Sequence, residues 1–272
     1  MRQWRFILDG NLSGASNMAT DDAILDAVAE GDAPPTLRLY GWSPPCLSLG
    51  YGQALSDVDF ARLAERRWGL VRRPTGGKAI LHTDELTYSL ALPSDHPIAS
   101  GDIVASYRRI SQALLWALTA LGIQPQSSAM QNLPKKPGAV CFETPSHYEI
   151  TVGGRKLIGS AQVRRKTGVL QHGSLPLTGD LARICDALAY PDEAAREVAR
   201  QQVNTRAVTL SAALGQVITW EQAAQVVADG FAQVFEVDLV SGALSNNEQQ
   251  RADSLIVGRY ASPQPEPHKD RV

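Results

Sequence analysis

Residues 141 to 173 read CFETPSHYEITVGGRKLIGSAQVRRKTGVLQHG. Alternation marks the early part as a strand, with His147, Glu149 and Thr151 facing one way and Tyr148, Ile150 and Val152 the other. Gly153-Gly154 supplies the positive φ that a two-residue hairpin turn requires. Lys156-Leu157-Ile158-Gly159-Ser160-Ala161 reads as the returning strand, and its small residues let a ligand approach the backbone. In such a hairpin Cys141, at the entrance, and Lys156, just past the turn, are expected to meet over one cavity. A thiol attacks as thiolate, and a nearby ammonium lowers its pKa. With donors for an oxyanion, that is enough to form a thioester. Each residue alone also has a plainer reading, the cysteine as a small buried hydrophobe and the lysine as a solvated surface group.

Downstream, Val169 to Leu175 reads as another strand carrying Gln171-His172-Gly173-Ser174. His172 is a candidate proton shuttle for displacement of a thioester by an amine; bonding within the core is the alternative. His147 lies near Cys141 in sequence, with its direction open. Upstream, residues 70 to 92 read LVRRPTGGKAILHTDELTYSLAL. Two strands are expected to flank the Pro-Thr-Gly-Gly loop, where Gly76-Gly77 permits backbone amides to face an anion or a carbonyl. Arg72-Arg73 precede the loop and His82 follows it. His82 reads either as an acyl-pocket or orienting residue, or as a half-buried histidine bonded to backbone.

These stretches resemble the biotin/lipoate A/B protein ligase superfamily, shared by biotin ligases, lipoate ligases and octanoyltransferases. The resemblance rests on Cys-Phe-Glu-Thr-Pro-Ser-His-Tyr-Glu from Cys141, Gly-Arg-Lys-Leu-Ile-Gly-Ser-Ala-Gln from Gly154, the Gln-His-Gly-Ser run, the Arg-Arg-x-x-Gly-Gly signature from Arg72 and an Asn-Met-Ala-x-Asp helix start at Asn17. It runs from about Asn17 to about Phe235. Strand-rich halves with helices between them, mostly in antiparallel hairpins, suggest an α+β architecture, and the resemblance implies the class II synthetase/biotin-ligase catalytic fold, with a mixed, mainly antiparallel sheet backed by helices. One catalytic domain over residues 1–260 is expected, its core spanning about 31–240, with a disordered tail at 261–272. Lipoate ligases have a third glycine where this chain has Lys78; His82-Thr83-Asp84-Glu85 then follows in the manner of the octanoyltransferase branch.

For that branch the resemblance implies transfer of octanoyl from acyl carrier protein to a lysine of a lipoyl domain, with the glycine cleavage H protein as expected acceptor. Cys141 and Lys156 would carry the chemistry. Arg73, Gly76, Gly77, His82, Gly159, Ser160, Ala161, His172 and Gly173 would bind substrate, and no cofactor would be used. Three other readings remain open: an ATP-dependent lipoate ligase, an amidotransferase between lipoyl domains, and a lipoyl-domain binding module without turnover. A cysteine hydrolase using Cys141 with His82, His147 or His172 is more remote.

Length and composition are ordinary for a soluble globular protein. The chain has 272 residues, 44% hydrophobic and 20% charged, with a formal charge of −2 that offers no general attraction for nucleic acid. Three scattered cysteines do not make a disulfide framework and suit a reducing compartment. No cysteine–histidine spacing suggests a metal. The N-terminus lacks a signal-peptide core and no apolar run is long enough to span a membrane, so a cytoplasmic location is expected.

Elsewhere the pattern predicts a strand over Trp4 to Leu8 and a helix from Met18 to Glu30 capped by Asn17, with Asp21 serving only the helix end. Strands over Leu37 to Tyr40 and Cys46 to Leu49, a helix from an Asp57 cap to Arg67, and a long amphipathic helix from Asp102 to Gly122 follow. Gln124 to Gly138 reads as a polar loop and Gln162 to Lys166 as a basic tip. The pattern turns helical after Asp180. Cys46 and Cys185 are expected to be structural.

Overall fold

Glycines at 153 and 154 adopt φ of 55° and 75° and turn one strand back on the next, as the sequence predicts. The computed structural model describes residues 2–128 and 149–262. Cys141, His147, most of the polar loop and residues 263–272 of the tail lie outside that range.

Among the described residues the chain runs through β1 (Arg2–Leu12), α1 (Gly14–Glu30), β2 (Thr36–Trp42), β3 (Cys46–Leu49), α2 (Phe60–Arg66), β4 (Gly69–Arg72), β5 (Ile80–His82), β6 (Glu85–Pro93) and α3 (Ile103–Ala120). It continues through β7 (Gln126–Ser128), β8 (Glu149–Val152), β9 (Arg155–Arg164), β10 (Gly168–Pro176), α4 (Glu193–Arg206), α5 (Leu210–Leu214), α6 (Trp220–Phe235), β11 (Val237–Ser241) and α7 (Asn246–Leu255). Eight strands form one sheet in the order β11-β1-β2-β6-β10-β9-β8-β7. The β11–β1 and β1–β2 pairs are parallel and the others antiparallel. This is the mixed, mainly antiparallel α+β sheet that the resemblance implies. A smaller sheet has the order β4-β3-β5. The strands expected over Leu37 to Tyr40 and Cys46 to Leu49 therefore separate, β2 into the large sheet and β3 into the small one.

The period-2 pattern of the central strands sorts their side chains onto two faces. Leu37 and Leu39 of β2, with Leu86, Tyr88, Leu90 and Leu92 of β6, join the main core with Ile110 and Leu114 of α3 and Phe231 of α6. The residues between them (Arg38 and Tyr40 of β2, Thr87, Ser89 and Ala91 of β6) are also buried, against the side that carries α1. One face is thus apolar throughout, while the other mixes apolar and polar groups.

Helix α1 starts four residues earlier than the sequence pattern indicates. Ser13 is its cap, its Oγ accepting from the Ser16 N–H at 3.1 Å, and Asn17 lies in the second turn, fully buried. Likewise Asp59, not Asp57, caps α2. The basic tip is not free: Arg164 donates to the carbonyls of Ala99 and Gly101, and Arg165 to Asp22 and Asp26. The end of the described chain returns to α1. Tyr260 Oη and Arg259 donate to Asp22 at 2.6 and 2.7 Å, and Arg5 of β1 makes a bidentate pair with Glu248 of α7. Cys46 and Cys185 are fully buried, and burial pushes the Cys46 thiol up to about 12, which suits the structural role expected of it.

Candidate active site

A cavity of about 160 Å³ lies on the mixed face of the large sheet, between it and the small sheet. Four adjacent strands of the large sheet line it: β2 through Tyr40 and Trp42, β6 through Thr87, β10 through His172 to Ser174, and β9 through Gly159 to Ala161. Three inter-strand spacings make the span about 14 Å. Ser48 of β3, His82 of β5 and the Arg73–Lys78 loop close the opposite side, and Met18 of α1 packs at the Tyr40–Trp42 end.

The other end is where Lys156 sits. Its side chain is buried, and its Nζ donates to Glu149 Oε1 at 2.6 Å. A Cβ added to Gly159 would meet Lys156 Cε at 3.0 Å and Nζ at 3.3 Å, so the ammonium lies folded against the glycine backbone that lines the cavity. Gly173 is as tightly held: a Cβ there would fall 2.4 Å from Ser160 Oγ and 2.6 Å from Tyr88 Cε1. The small residues in these strands make room for neighbouring side chains as well as for a ligand.

Arg73 lines the cavity but directs its guanidinium to the protein. Nη1 donates to the Ser48 carbonyl and Oγ at 3.0 and 3.1 Å, and Nη2 to the carbonyls of Gly76 and Lys78 at 2.9 and 2.8 Å. It fixes the shape of the Gly76-Gly77 loop, where Gly77 has φ of 97° and faces the cavity. Arg72 similarly donates to the carbonyls of Gly50, Tyr51 and Gln53.

His82 is bonded to side chains, not to backbone. Its Nε2 is 2.8 Å from Ser48 Oγ and its Nδ1 is 2.6 Å from Glu85 Oε1. Trp42 stacks on the ring at 3.8 Å and 8°. Thr87 and Ser174 also donate to Glu85. Burial pushes the Glu85 carboxyl up, but His82 and the two hydroxyls more than offset it and hold it below the usual carboxylate value.

His172 bridges the Pro-Thr-Gly-Gly loop and α1. Its Nε2 is 2.7 Å from Thr75 Oγ1 and its Nδ1 is 3.5 Å from Asp21 Oδ2. Burial pushes its pKa down; Asp21 pulls it up, Arg73 and His82 push it down again, and the net is a lowered value. His172 is therefore neutral at pH 7, as a proton acceptor must be. The unfolded chain binds a proton at this position below about pH 6.5, so stability falls as pH drops from there toward the lower folded value. The variant His172→Gln is expected to lose this part of the acid-side decline, read from urea midpoints between pH 7 and 5.

One buried residue beneath the site, Arg38, carries no motif in the sequence. Arg38, fully buried, donates to Asp9, Asp21 and Asn17 at 2.6–2.8 Å and lies 3.9 Å from the Tyr40 ring centroid. Asp21 accepts in turn from Tyr40 Oη and Ser89 Oγ, both at 2.8 Å. Burial would raise the Asp21 carboxyl, but Arg38, His172 and Tyr40 hold it below its ordinary value. Asn17 and Asp21 are thus braces under the cavity rather than helix-end groups. The available signal was a charged residue on the inward phase of Leu37-Arg38-Leu39-Tyr40.

No group of metal-ligating side chains occurs among the described residues, and no helix there is long and apolar enough to cross a membrane.

Residues 13–232 match the lipoyl protein ligase A/B catalytic domain. A protein of Kyrpidia tusciae named octanoyltransferase LipM is 40% identical, the match covering 94% of this chain and 96% of that one. A protein of the same name from Moorella thermoacetica is 41% identical over 95% of this chain and 96% of its own. Among solved structures, the bipartite lipoate protein ligase of Thermoplasma acidophilum superposes with a TM-score of 0.81 at 23% identity, covering 96% of this chain and 95% of that one, a likeness of fold.

Proposed function

The chain belongs to the lipoyl protein ligase A/B catalytic domain family, and from that premise we propose that it is an octanoyltransferase of lipoate assembly, loading an eight-carbon acyl group onto a lysine of a lipoyl-domain protein. The observation that carries the reading is the cavity lined by four strands of the large sheet, with the buried Lys156 ammonium against the backbone of Gly159, one of its lining residues. Full-length relatives near 40% identity that bear the octanoyltransferase name support it.

In this proposal the donor is octanoyl-acyl carrier protein and the acceptor the glycine cleavage H protein. The Cys141 thiolate adds to the donor carbonyl, the carbon–sulfur bond to the carrier breaks, and an acyl-enzyme remains. The acceptor amine then displaces Cys141 and forms the amide, losing its extra proton to a base. His172 is neutral and fit for that role. Lys156 favours the thiolate and steadies the oxyanion, assisted by amides of Gly159, Ser160 and Ala161 or of Gly77. The acyl tail runs across the sheet toward Met18, each buried methylene contributing about 0.8 kcal/mol.

The test is intact mass after mixing the protein with octanoyl-acyl carrier protein without ATP. A hydroxylamine-sensitive octanoyl adduct, absent in Cys141→Ala and passed on to H protein, is the expected result. Modification that requires ATP and free octanoate would make the protein a ligase instead; an adduct obtained only from an octanoylated lipoyl domain would make it an amidotransferase.

The far end of the cavity sets chain length. Met18→Ala is expected to admit two further methylenes, worth about 1.6 kcal/mol or a little over tenfold, so that decanoyl gains on octanoyl donor by about that factor in kcat/KM. An unchanged ratio would mean the tail lies elsewhere.

A further inference from the structure

Ser48 and His82 stand on one wall of the cavity with Glu85 behind the histidine: hydroxyl to imidazole 2.8 Å, imidazole to carboxylate 2.6 Å, all three side chains buried. That is the arrangement of an activated serine, a base and the acid that orients the base. Each neighbour reinforces these roles. Glu85 Oε1 accepts from His82 and Thr87 and Oε2 accepts from Ser174, an arrangement that turns Nδ1 of the ring toward the carboxylate. Nε2 then faces the Ser48 hydroxyl. Trp42 holds the ring plane by stacking, while its own N–H is committed to Thr87 at 2.8 Å. The Arg73 guanidinium donates to Ser48 Oγ from the other side, which favours negative charge on that oxygen. A histidine retained for packing alone needs neither a carboxylate behind it nor a hydroxyl in front, on the cavity wall.

We infer that Ser48, His82 and Glu85 form a second acyl-accepting centre, which hydrolyses acyl thioesters entering the cavity. The substrate class rests on the proposed function; the serine centre itself does not involve Cys141. As Ser48 Oγ bonds to the thioester carbonyl carbon, its proton passes to His82 Nε2. The carbon–sulfur bond then breaks, and the departing thiolate takes that proton. Water attacks the resulting ester by the same route, its proton going to His82 and then to Ser48 Oγ as the carbon–oxygen bond breaks. The products are the free acid, the free thiol and the original serine, with no change of oxidation state. Such a centre would clear acyl groups that meet no acceptor lysine.

The experiment uses the full-length Cys141→Ala protein with octanoyl-pantetheine, following thiol release and octanoate. Steady hydrolysis is expected, falling by at least about 10²-fold on adding either Ser48→Ala or Glu85→Gln. Glu85→Gln preserves size and hydrogen bonding but not charge, so it probes the chemistry even if Ser48→Ala disturbs the buried wall. An alkyl fluorophosphonate should label the Ser48 peptide. Hydrolysis by Cys141→Ala that neither substitution lowers, or none at all while wild type still loads H protein, overturns the inference and leaves the proposed function standing. Wild type that hydrolyses through Ser48 but never loads a lipoyl domain supports the serine centre and overturns the proposed function.

Discussion

Replacing Lys156 with methionine is expected to lower octanoyl transfer by about 10³-fold while the protein still folds. Methionine keeps the apolar stem that packs beside Gly159, so the loss reports the ammonium rather than the volume. The first step should suffer most, since a thiol without a neighbouring cation spends less time as thiolate. Intact mass should therefore show slow formation of the acyl adduct, partly rescued at higher pH. Glu149 gives a control, because the substitution takes away the ammonium donating to its Oε1 at 2.6 Å. The double variant Lys156→Met/Glu149→Gln should recover stability and not activity. Recovery of both would reduce the lysine to a structural counter-ion.

The largest effect on stability is expected from Arg38→Met. The guanidinium is wholly buried and its salt bridge to Asp21 is shielded from solvent on both sides. Removing one partner of such a pair leaves a buried carboxylate and costs about 3–5 kcal/mol, or a fall in Tm of about 10 °C for a chain of this size. The sign of the pH dependence follows from the depressed Asp21 carboxyl, whose stabilising contribution is present above the unfolded value and lost as pH falls through the folded one. In the variant, burial prevails and raises that carboxyl. The gap between wild type and variant is therefore widest near neutrality and narrows toward acid pH. Adding Asp21→Asn should restore most of the lost stability, read by thermal melts at pH 7 and 5.

The hairpin about Gly153-Gly154 was legible because alternation and a turn that needs positive φ both act over a few residues. The Arg-Arg-Pro-Thr-Gly-Gly loop was legible as a motif, yet the work of its second arginine was not. Arg73 joins Ser48, Gly76 and Lys78, and only the folded chain says which carbonyls lie within its reach. Ser48 escaped notice for the same reason, and Asp21 and Glu85 were read only as a helix-end group and as part of a resemblance. A serine inside Cys-Leu-Ser-Leu or a glutamate inside Asp-Glu-Leu-Thr has no local signature, and their meeting at His82 is set by the stacking of one sheet on another. Helix starts were misjudged by up to four residues where several capping side chains compete, as Ser13 and Asn17 do. Asn17 lost because its amide is drawn inward to the Gly41 carbonyl and to Arg38.

The pairing of the first strand with the last has a bearing on biogenesis. Arg2 lies beside Val237, and β1 occupies the middle of a parallel trio whose third member, β11, is made only at residues 237–241. At the usual speed of translation the N-terminal strand waits on the order of ten to fifty seconds for that neighbour. Throughout that delay one side of β1 offers bare peptide groups, a template for pairing with another nascent chain. The outer side of α1, where Asp22 will receive Tyr260 and Arg259, is uncovered over the same interval. The helix that bears Met18 and Asp21 thus acquires this support only once residues 259 and 260 have been made, so the cavity is completed well after the strands that line it.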